Sequence, residues 1–591
     1  MDTRKNWFTY IYLTIFSVCM VFILFSGILN IGLATPYPFL WYGGMIGAMG
    51  GLWLIANAFS FLVCRLDLHR LVPRNKKYGI ILESIFVIVV LVVGAGLRVW
   101  VIKNMPIVPA SDFKTYYDIA NLLSQGNLIK DGVGLCDYIS QFPHIIGYPY
   151  ILSKIFRVFG VSVSVGLYFN LVASLISIFL AYRITRLICG KVGGMIALVL
   201  VAFWPSQILY INHLASEPVF TCMVLLSIWL CVYLFKYPFA NGKMSVCLLL
   251  NIALGVSLAI GGAIRPMSII LLIAIIICIL SFQIKISGDK NRVGLIKRGL
   301  CKGWIRVLVI LISYLLCLQI ISGAIANTID RELPGNSVSF GYNFLVGLNI
   351  DSKGAWNEQD TKLLNDKFLK TDSAAEAHKA ARDEAFKRIQ KDPIGIANLA
   401  LEKYTLLWEN DGYASYWNLL FMEQQNNLTT ERKTLINGLT RWNNIYYLVC
   451  VFFSLLAGIS LWYKKKDGPE HILILFFIGT AILHMILESQ NRYHYDILPI
   501  FAILTAVGSI EILKYFTNKN GITNVDGRFD VQHDLVAAQE EIAVAQEQAS
   551  EQTELTKGKN HQFDILSAIK DGHVIVTVSE AYLENTKKVK D

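Results

Sequence analysis

The stretch "IILESIFVIVVLVVGAGLRVWVI", residues 80–102, is a long apolar run with Glu83 close to one end. About 20 apolar residues are enough to carry a helix across the hydrocarbon core of a bilayer. Runs of this kind recur: 7–33, 39–63, 161–182, 192–212, 217–236, 245–264, 267–285, 304–326, 443–463, 470–487 and 495–515. With 80–102 they make about twelve expected spans. Each is expected to be helical, because an unpaired backbone amide in lipid costs several kcal/mol. The first run is too long for a signal-peptide core and lacks a small-x-small cleavage site, so it counts as a span. Composition agrees: the chain is 54% hydrophobic and 16% charged, with mean hydropathy +0.50, where ordinary globular domains carry about 25% charged residues. The fold class expected is an all-α polytopic membrane protein.

The formal charge of +10 is not a nucleic-acid footprint, because the basic residues sit in short clusters between apolar runs. "MDTRKN" (1–6), "CRLDLHRLVPRNKKYG" (64–79), "RITRLICGK" (183–191), "KISGDKNRVGLIKRGLCKGWIR" (285–306) and "KKK" (464–466) all fall on one side under twelve-span counting. That side is the cytoplasm by the positive-inside rule. The other side receives 103–160, the turn at 213–217, the Arg265 turn, the loop 327–442 and the turn 488–494. Only Cys136 of the eleven cysteines falls in an exterior loop, so no intramolecular disulfide is expected. No cofactor is expected and no spacing marks a metal site, although a divalent metal is left open.

Organisation along the chain follows. Residues 1–79 hold two N-terminal spans and the basic loop. Residues 80–326 are the transmembrane core, with exterior loop 103–160. In that loop "SDFKTYYDIANLLSQG" (111–126) reads as a helix capped by Ser111 and stopped by Gly126, and 145–160 as a helix lying in the interface. The 327–442 segment is too long for a connector and reads as mostly helical, as in 360–390. Its 14 Lys/Arg against 16 Asp/Glu exclude a basic patch. Residues 443–515 carry the last three spans, and 516–591 a cytoplasmic tail. In the tail, 534–558 places Leu535, Ile542 and Ala549 at sevens, while the series Ala538, Ala545 breaks at Gln552. It reads either as a helix for a cytoplasmic partner or as a solvated tail. "HVIVTVSEAYL" (573–583) suggests a strand and turn.

Ionisable residues beside spans are rare and usually paired or functional, and here they gather on the exterior side. Asp112 and Asp118, with Tyr116 and Tyr117, come from the first loop. "HLASEPVF" (213–220) brings His213 and Glu217, and "GGAIRPMS" (261–268) brings Arg265. "LESQNRYHYDILP" (487–499) brings Glu488, Arg492, Tyr493, His494 and Asp496. Four distant segments thus deliver charge to one depth. Bland readings stand beside this: an interfacial anchor for Arg265, a helix cap for Glu217, structural hydrogen bonding for His213 and His494, and solvation for Asp118.

In this order, "SDFKTYYDIANLLSQG", "GYPYILSKIFRVFG", "ASEPVF", "AIRPMSIILL", "FLVGLNIDSKGAWNEQD" and "ESQNRYHYDILPIFAIL" resemble the GT-C superfamily of membrane glycosyltransferases. The likeness is to bacterial relatives of protein O-mannosyltransferases and lipid A aminoarabinose transferases (glycosyltransferase family 39), across roughly 80–515. The resemblance implies a polyprenyl-phosphate donor carrying one sugar, used on the extracytoplasmic face with inversion, and Asp112 as general base. It implies Arg492, then Arg265, as phosphate binders, Tyr493 as a hydrogen-bond donor, and Glu217 and Glu488 as orienting carboxylates. Tyr116, Tyr117, Asp118 and His494 complete the expected substrate-binding set. The family's Asp-Glu pair departs here, since Phe113 follows Asp112, and 327–442 is too small and helical for a β-trefoil insert. Both favour a cell-envelope glycan over a protein as acceptor. The competing readings are a transporter or lipid or polysaccharide flippase, a polysaccharide polymerase or ligase, and an assembly scaffold. A transporter would want mid-span charge pairs and internal repeats, which the sequence lacks. The expected location is the cell membrane, multi-pass, with both termini cytoplasmic.

Overall fold

The computed structural model describes residues 7–33, 76–237, 244–282, 303–333, 340–464 and 468–519, and the strand segments 565–570 and 573–578. The expected span 39–63, most of the basic loops at 64–79 and 285–306, the "MDTRKN" start, most of "KKK" and the helix at 534–558 lie outside them.

The described helices are α1 (Trp7–Leu33), α2 (Lys76–Asn104), α3 (Ser111–Gln125), α4 (Val133–Gln141), α5 (Gly147–Phe159), α6 (Val163–Ala202), α7 (Glu217–Lys236), α8 (Met244–Ile264), α9 (Ser268–Ser281) and α10 (Trp304–Ile329). After them come α11 (Gly341–Gly347), α12 (Glu358–Thr371), α13 (Ala374–Lys391), α14 (Pro393–Trp408), α15 (Tyr413–Gln424), α16 (Thr430–Lys464), α17 (His471–Ile486) and α18 (Leu498–Lys519). Among them seven are long and apolar enough to cross a membrane (α1, α2, α6, α7, α8, α10 and α16), and α9 and α17 are shorter apolar helices. The expected count of twelve is not reached among the described residues. One reason is visible in α6, which breaks at Cys189–Gly190, with Gly190 at φ +85°. The expected span 192–212 therefore ends at Ala202, and Pro205 opens short turns instead. The C-terminal strands, Ile565–Lys570 and His573–Val578, pair as an antiparallel hairpin in a separate unit, Thr517–Asp591.

Within the main unit α6 packs on α7, α8 on α10, α2 on α6, α9 on α17 and α1 on α16. Arg98, fully buried in α2, donates to the carbonyls of Ala202 (2.8 Å) and Gly94 (3.1 Å) and to Ser174 (3.0 Å). It thereby satisfies the exposed carbonyls where α6 ends. Two glycines position the segments between the long apolar helices. A Cβ at Gly147 would collide with the Ala263 carbonyl, so only glycine lets α5 begin against the end of α8, beside Arg265. A Cβ at Gly347 would likewise strike the chain at Ile486–Glu488.

Helices α11–α15 fill 341–424. There Asp360 accepts from Arg388, Asn349 and Asn357, clamping α11–α13. Helix α5 buries Tyr148, Leu152 and Phe156 and exposes Tyr150, Val158 and Phe159. Such two-sided apolar surface suits a helix lying along an interface.

Candidate functional site

Helix α3 opens on Ser111 at φ +50°, with Ala110 as its N-cap and no side-chain cap bond. Ser111 is therefore not the cap expected from the sequence. Its left-handed backbone, which costs a non-glycine residue about 1 kcal/mol, turns the chain so that Asp112 stands in the first helical turn. Gly126, at φ +76°, closes the helix in the left-handed form that glycine supplies. Arg157 of α5 donates to the Leu123 and Ser124 carbonyls and ties the two helices together.

Asp112 meets Arg492 across 380 residues of chain: Nη2 donates to Oδ2 at 2.6 Å. The two partners differ in access, with the Asp112 side chain 44% exposed and that of Arg492 9%. Burial pulls the Arg492 pKa down most strongly, but Asp112, together with Tyr210, Tyr493 and Glu217, holds the guanidinium well above its ordinary value. Its face packs on Trp417 (5.2 Å), Tyr493 (5.7 Å) and Phe113 (5.8 Å). Its Nε has no hydrogen-bond partner among the described residues. Phe113 itself is buried in an aromatic box of Tyr210, His213, Trp417 and Phe421. The Phe113 ring in turn supports the Arg492 guanidinium.

A second pair lies beside the first. Arg265 Nη1 meets Glu217 Oε1 at 2.6 Å, and both side chains are largely buried. Glu217 also opens α7, where the helix dipole favours a carboxylate. Arg265 is thus both a span-end cation and an ion-pair partner. It stacks over Tyr493 at 5.4 Å, whose hydroxyl donates to Glu488 (3.1 Å), as does Gln490 (3.0 Å). Burial pushes the Glu488 carboxyl up, against the pull of Arg492. Tyr116 rests on Tyr148 at 5.5 Å. Burial, then the Asp112 and Glu217 charges, push its hydroxyl up to about 12, so it stays a neutral donor. His144, absent from the sequence expectations, lies in the field of Arg265 and Asp112. Burial and then Arg265 hold it down at about 4, hence neutral. Among the described residues no group of three or more His, Cys, Asp or Glu could hold a metal ion.

Residues 143–297 match the family model described as "Dolichyl-phosphate-mannose-protein mannosyltransferase". The likeness is confined to these residues. Glu217 and Arg265 fall inside the match, and Asp112, Glu488 and Arg492 outside it. No curated protein matches. Three solved structures of the Archaeoglobus fulgidus oligosaccharyltransferase are similar. The complex with Zn and sulfate has a TM-score of 0.39 at 14% identity, over 76% of this chain and 51% of that one. The apo form gives 0.40 at 13%, over 76% and 54%. The AglB complex with an inhibitory peptide and a dolichol-phosphate gives 0.38 at 12%, over 77% and 54%. The chain thus spans about half the length of these structures. Among the described residues seven helices are long and apolar enough to cross a membrane, and over residues 143–297 the chain is similar to the mannosyltransferase family.

Three expected site residues lie elsewhere. His494 is fully buried. Its Nδ1–H donates to the Leu407 carbonyl (2.7 Å), and its Nε2 faces Asp411 Oδ1 at 3.0 Å. A carbonyl can only accept, so the Nδ1 contact is an N–H donation. Asp411 Oδ2 accepts from Trp204 (2.8 Å) and Ser206 (2.7 Å). His494 therefore belongs to a buried hydrogen-bond network with Asp411, Trp204 and Ser206. Asp118 pairs with Lys114 one turn away at the surface (2.5 Å), and Tyr117 packs on Phe156 of α5. Both stand off the face of α3 that carries Asp112 and Tyr116, which are four residues apart. Asp496 is buried, and its Oδ2 lacks a partner among the described residues.

The residues missed by sequence reasoning come chiefly from the helices of 341–424 and the turn that follows α17. Lys403 of α14, 1% exposed, donates to the carbonyls of Leu487 (2.6 Å), Gly347 (2.8 Å) and Met485 (3.1 Å). Asn491 donates to Leu406, Leu407 and Asn410. Helix α14 and the turn after it thus hold 485–494 at Lys403, Asn491 and His494, fixing where Glu488 and Arg492 stand. Nothing in "ALEKYTLLWENDG" (400–412) announces this role. Cys136, expected in an open loop, is buried, its thiol directed at the Leu128 carbonyl.

Proposed function

We propose that the protein transfers a single sugar from a polyprenyl-phosphate donor to an extracytoplasmic acceptor, with inversion, and that the acceptor is a cell-envelope glycan. The observation that carries this reading is the half-exposed Asp112 held by the buried Arg492, with Arg265 and Glu217 adjacent. Residues 80–326 form the catalytic core in this reading. Segment 103–160 supplies the base, 327–442 is an exterior helical domain, 443–515 brings the Arg492 turn, 516–591 is a cytoplasmic tail, and 1–79 adds two spans.

The donor phosphate competes with Asp112 for Arg492, whose unpartnered Nε supplies a second N–H for bidentate contact. Once the phosphate takes Arg492, Asp112 is released to accept a hydrogen bond from the acceptor hydroxyl. That oxygen attacks the anomeric carbon from the face opposite the phosphate. The new C–O bond forms, the bond from carbon to phosphate oxygen breaks, and the hydroxyl proton passes to Asp112. Arg492, and Arg265 beside it, neutralise the charge growing on the leaving phosphate. Tyr116, Tyr493 and Glu488 lie at hydrogen-bonding positions for sugar hydroxyls. The exposed apolar side of α5 offers a surface for the lipid tail.

The test is transfer from purified polyprenyl-phosphate sugars in proteoliposomes, with envelope glycan or peptide as acceptor. Transfer to glycan that Asp112→Asn abolishes supports the reading. Transfer to peptide alone overturns the acceptor, and undiminished transfer by Asp112→Asn overturns the base.

A further inference from the structure

Three helices reach the candidate site at one end and a second charged cluster at the other. Helix α7 begins at Glu217 and ends at Lys236, about 29 Å away at helical rise. Helix α2 runs from Glu83 towards the exterior loop, and α6 from Asn170, bonded to Tyr148 and Ala215, towards Arg183 and Arg186. The hydrocarbon core is about 30 Å thick, so the two clusters stand at opposite interfaces of a bilayer.

The far cluster surrounds a cavity of about 170 Å³ lined by Arg183, Arg186, Gly190, Lys191, Lys236 and Tyr237. Four cations face it, and Glu83 is the carboxylate that reaches them. Glu83 pairs with Arg186 at 2.7 Å and Lys191 at 3.3 Å, and accepts from Tyr182. Among the described residues no carboxylate pairs with Arg183 or Lys236, and Lys236 donates to the Leu187 carbonyl at 3.3 Å. A span-end lysine that only anchors its helix points outward to the headgroups. Here the arginines lie three apart on one face of α6, and the break at Gly190 lets Lys191 reach the same Glu83 as Arg186. The result is a concave site with three cations in excess, one wall of it the aromatic ring of Tyr237.

We propose that this cavity binds the phosphate of an anionic phospholipid headgroup, on the membrane face opposite the Asp112 cluster. A phosphodiester matches the excess charge, guanidinium groups grip its oxygens bidentately, and the depth is that of the headgroups. Free phosphate has the same chemistry, so the test separates the two sources.

The full-length protein is purified in detergent and given mixtures of phosphatidylglycerol and phosphatidylcholine. Retained lipid is read by native mass spectrometry and the thermal midpoint is followed in parallel. The expected result is one phosphatidylglycerol retained in preference, with a raised midpoint. Arg183→Gln/Lys236→Gln should weaken that preference about 30-fold, from the worth of two interfacial cations. Lys130→Gln/Lys464→Gln, which removes two cations elsewhere, should leave it intact. If the first variant is less stable in phosphatidylcholine alone, Arg183→Lys/Lys236→Arg should restore the preference. Inorganic phosphate that displaces the lipid and raises the midpoint equally assigns the site to free phosphate. Equal retention of both lipids by the wild type, or equal losses in the two double variants, overturns the proposal.

Discussion

Arg492 and His494 stand two residues apart on one tight turn, and each reaches an aspartate. Arg492 meets Asp112, which is half open to solvent, and His494 meets Asp411, which is sealed among Trp204, Ser206 and Leu407. Successive residues of a 3₁₀ turn point about 120° apart, so the same four residues serve two environments. In the proposed mechanism the exposed pair exchanges its partner for an incoming phosphate. The sealed pair is fully buried and fixes the turn that carries Arg492.

The largest effect expected is on the open pair. Asp112→Asn should lower transfer about 10³-fold, the usual worth of a general base, with little change in thermal midpoint. The sealed pair should behave oppositely. Asp411→Ala leaves His494, Trp204 and Ser206 without their acceptor and should cost about 3 kcal/mol of stability, measured by thermal or denaturant unfolding. Arg492→Lys keeps the charge but loses the planar fork and should reduce transfer about 30-fold, mainly through donor KM. A pH titration sharpens the contrast on the structural side. Burial holds the Lys403 ammonium down at about 7, so the folded state gives up this proton before the unfolded chain does. Its contribution to stability therefore rises with pH between about 7 and the ordinary lysine value near 10.4. Lys403→Met should remove that slope from the unfolding profile. The smallest effect is at Asp118, whose exposed pair with Lys114 is worth about 0.5 kcal/mol or less. Asp118→Asn should leave transfer and stability unchanged, and a large loss of transfer would bring Asp118 back into the site.

The fold was legible because bilayer thickness imposes a length on every crossing and the apolar runs meet it. The break in α6 was not, since "ICGKVGG" (188–194) reads as well as a loop between two spans as a kink within one helix. The site was half legible. Charged residues beside spans are rare, so Asp112, Glu217, Arg265 and Arg492 stood out, but sequence carries no pairing, and only the packed chain sets Asp112 on Arg492 and Glu217 on Arg265. His494 misled because its residue type and position match those of Arg492, and only the phase of the turn separates them. Lys403 and Asp411 had no local signal at all. Their partners are backbone carbonyls and side chains up to 207 residues away, and an ordinary helix with one lysine gives no hint of them. Phe113 was read as a departure from a carboxylate pair, and the structure places its ring in an aromatic box against Arg492.

The most direct measurement is donor binding and transfer by Asp112→Asn on the same proteoliposomes. If the open pair is the reaction centre, the variant binds the polyprenyl-phosphate sugar at least as tightly as the wild type, since Arg492 no longer has a competing carboxylate, while transfer falls about 10³-fold. Near-normal transfer, or loss of donor binding together with transfer, would contradict the account.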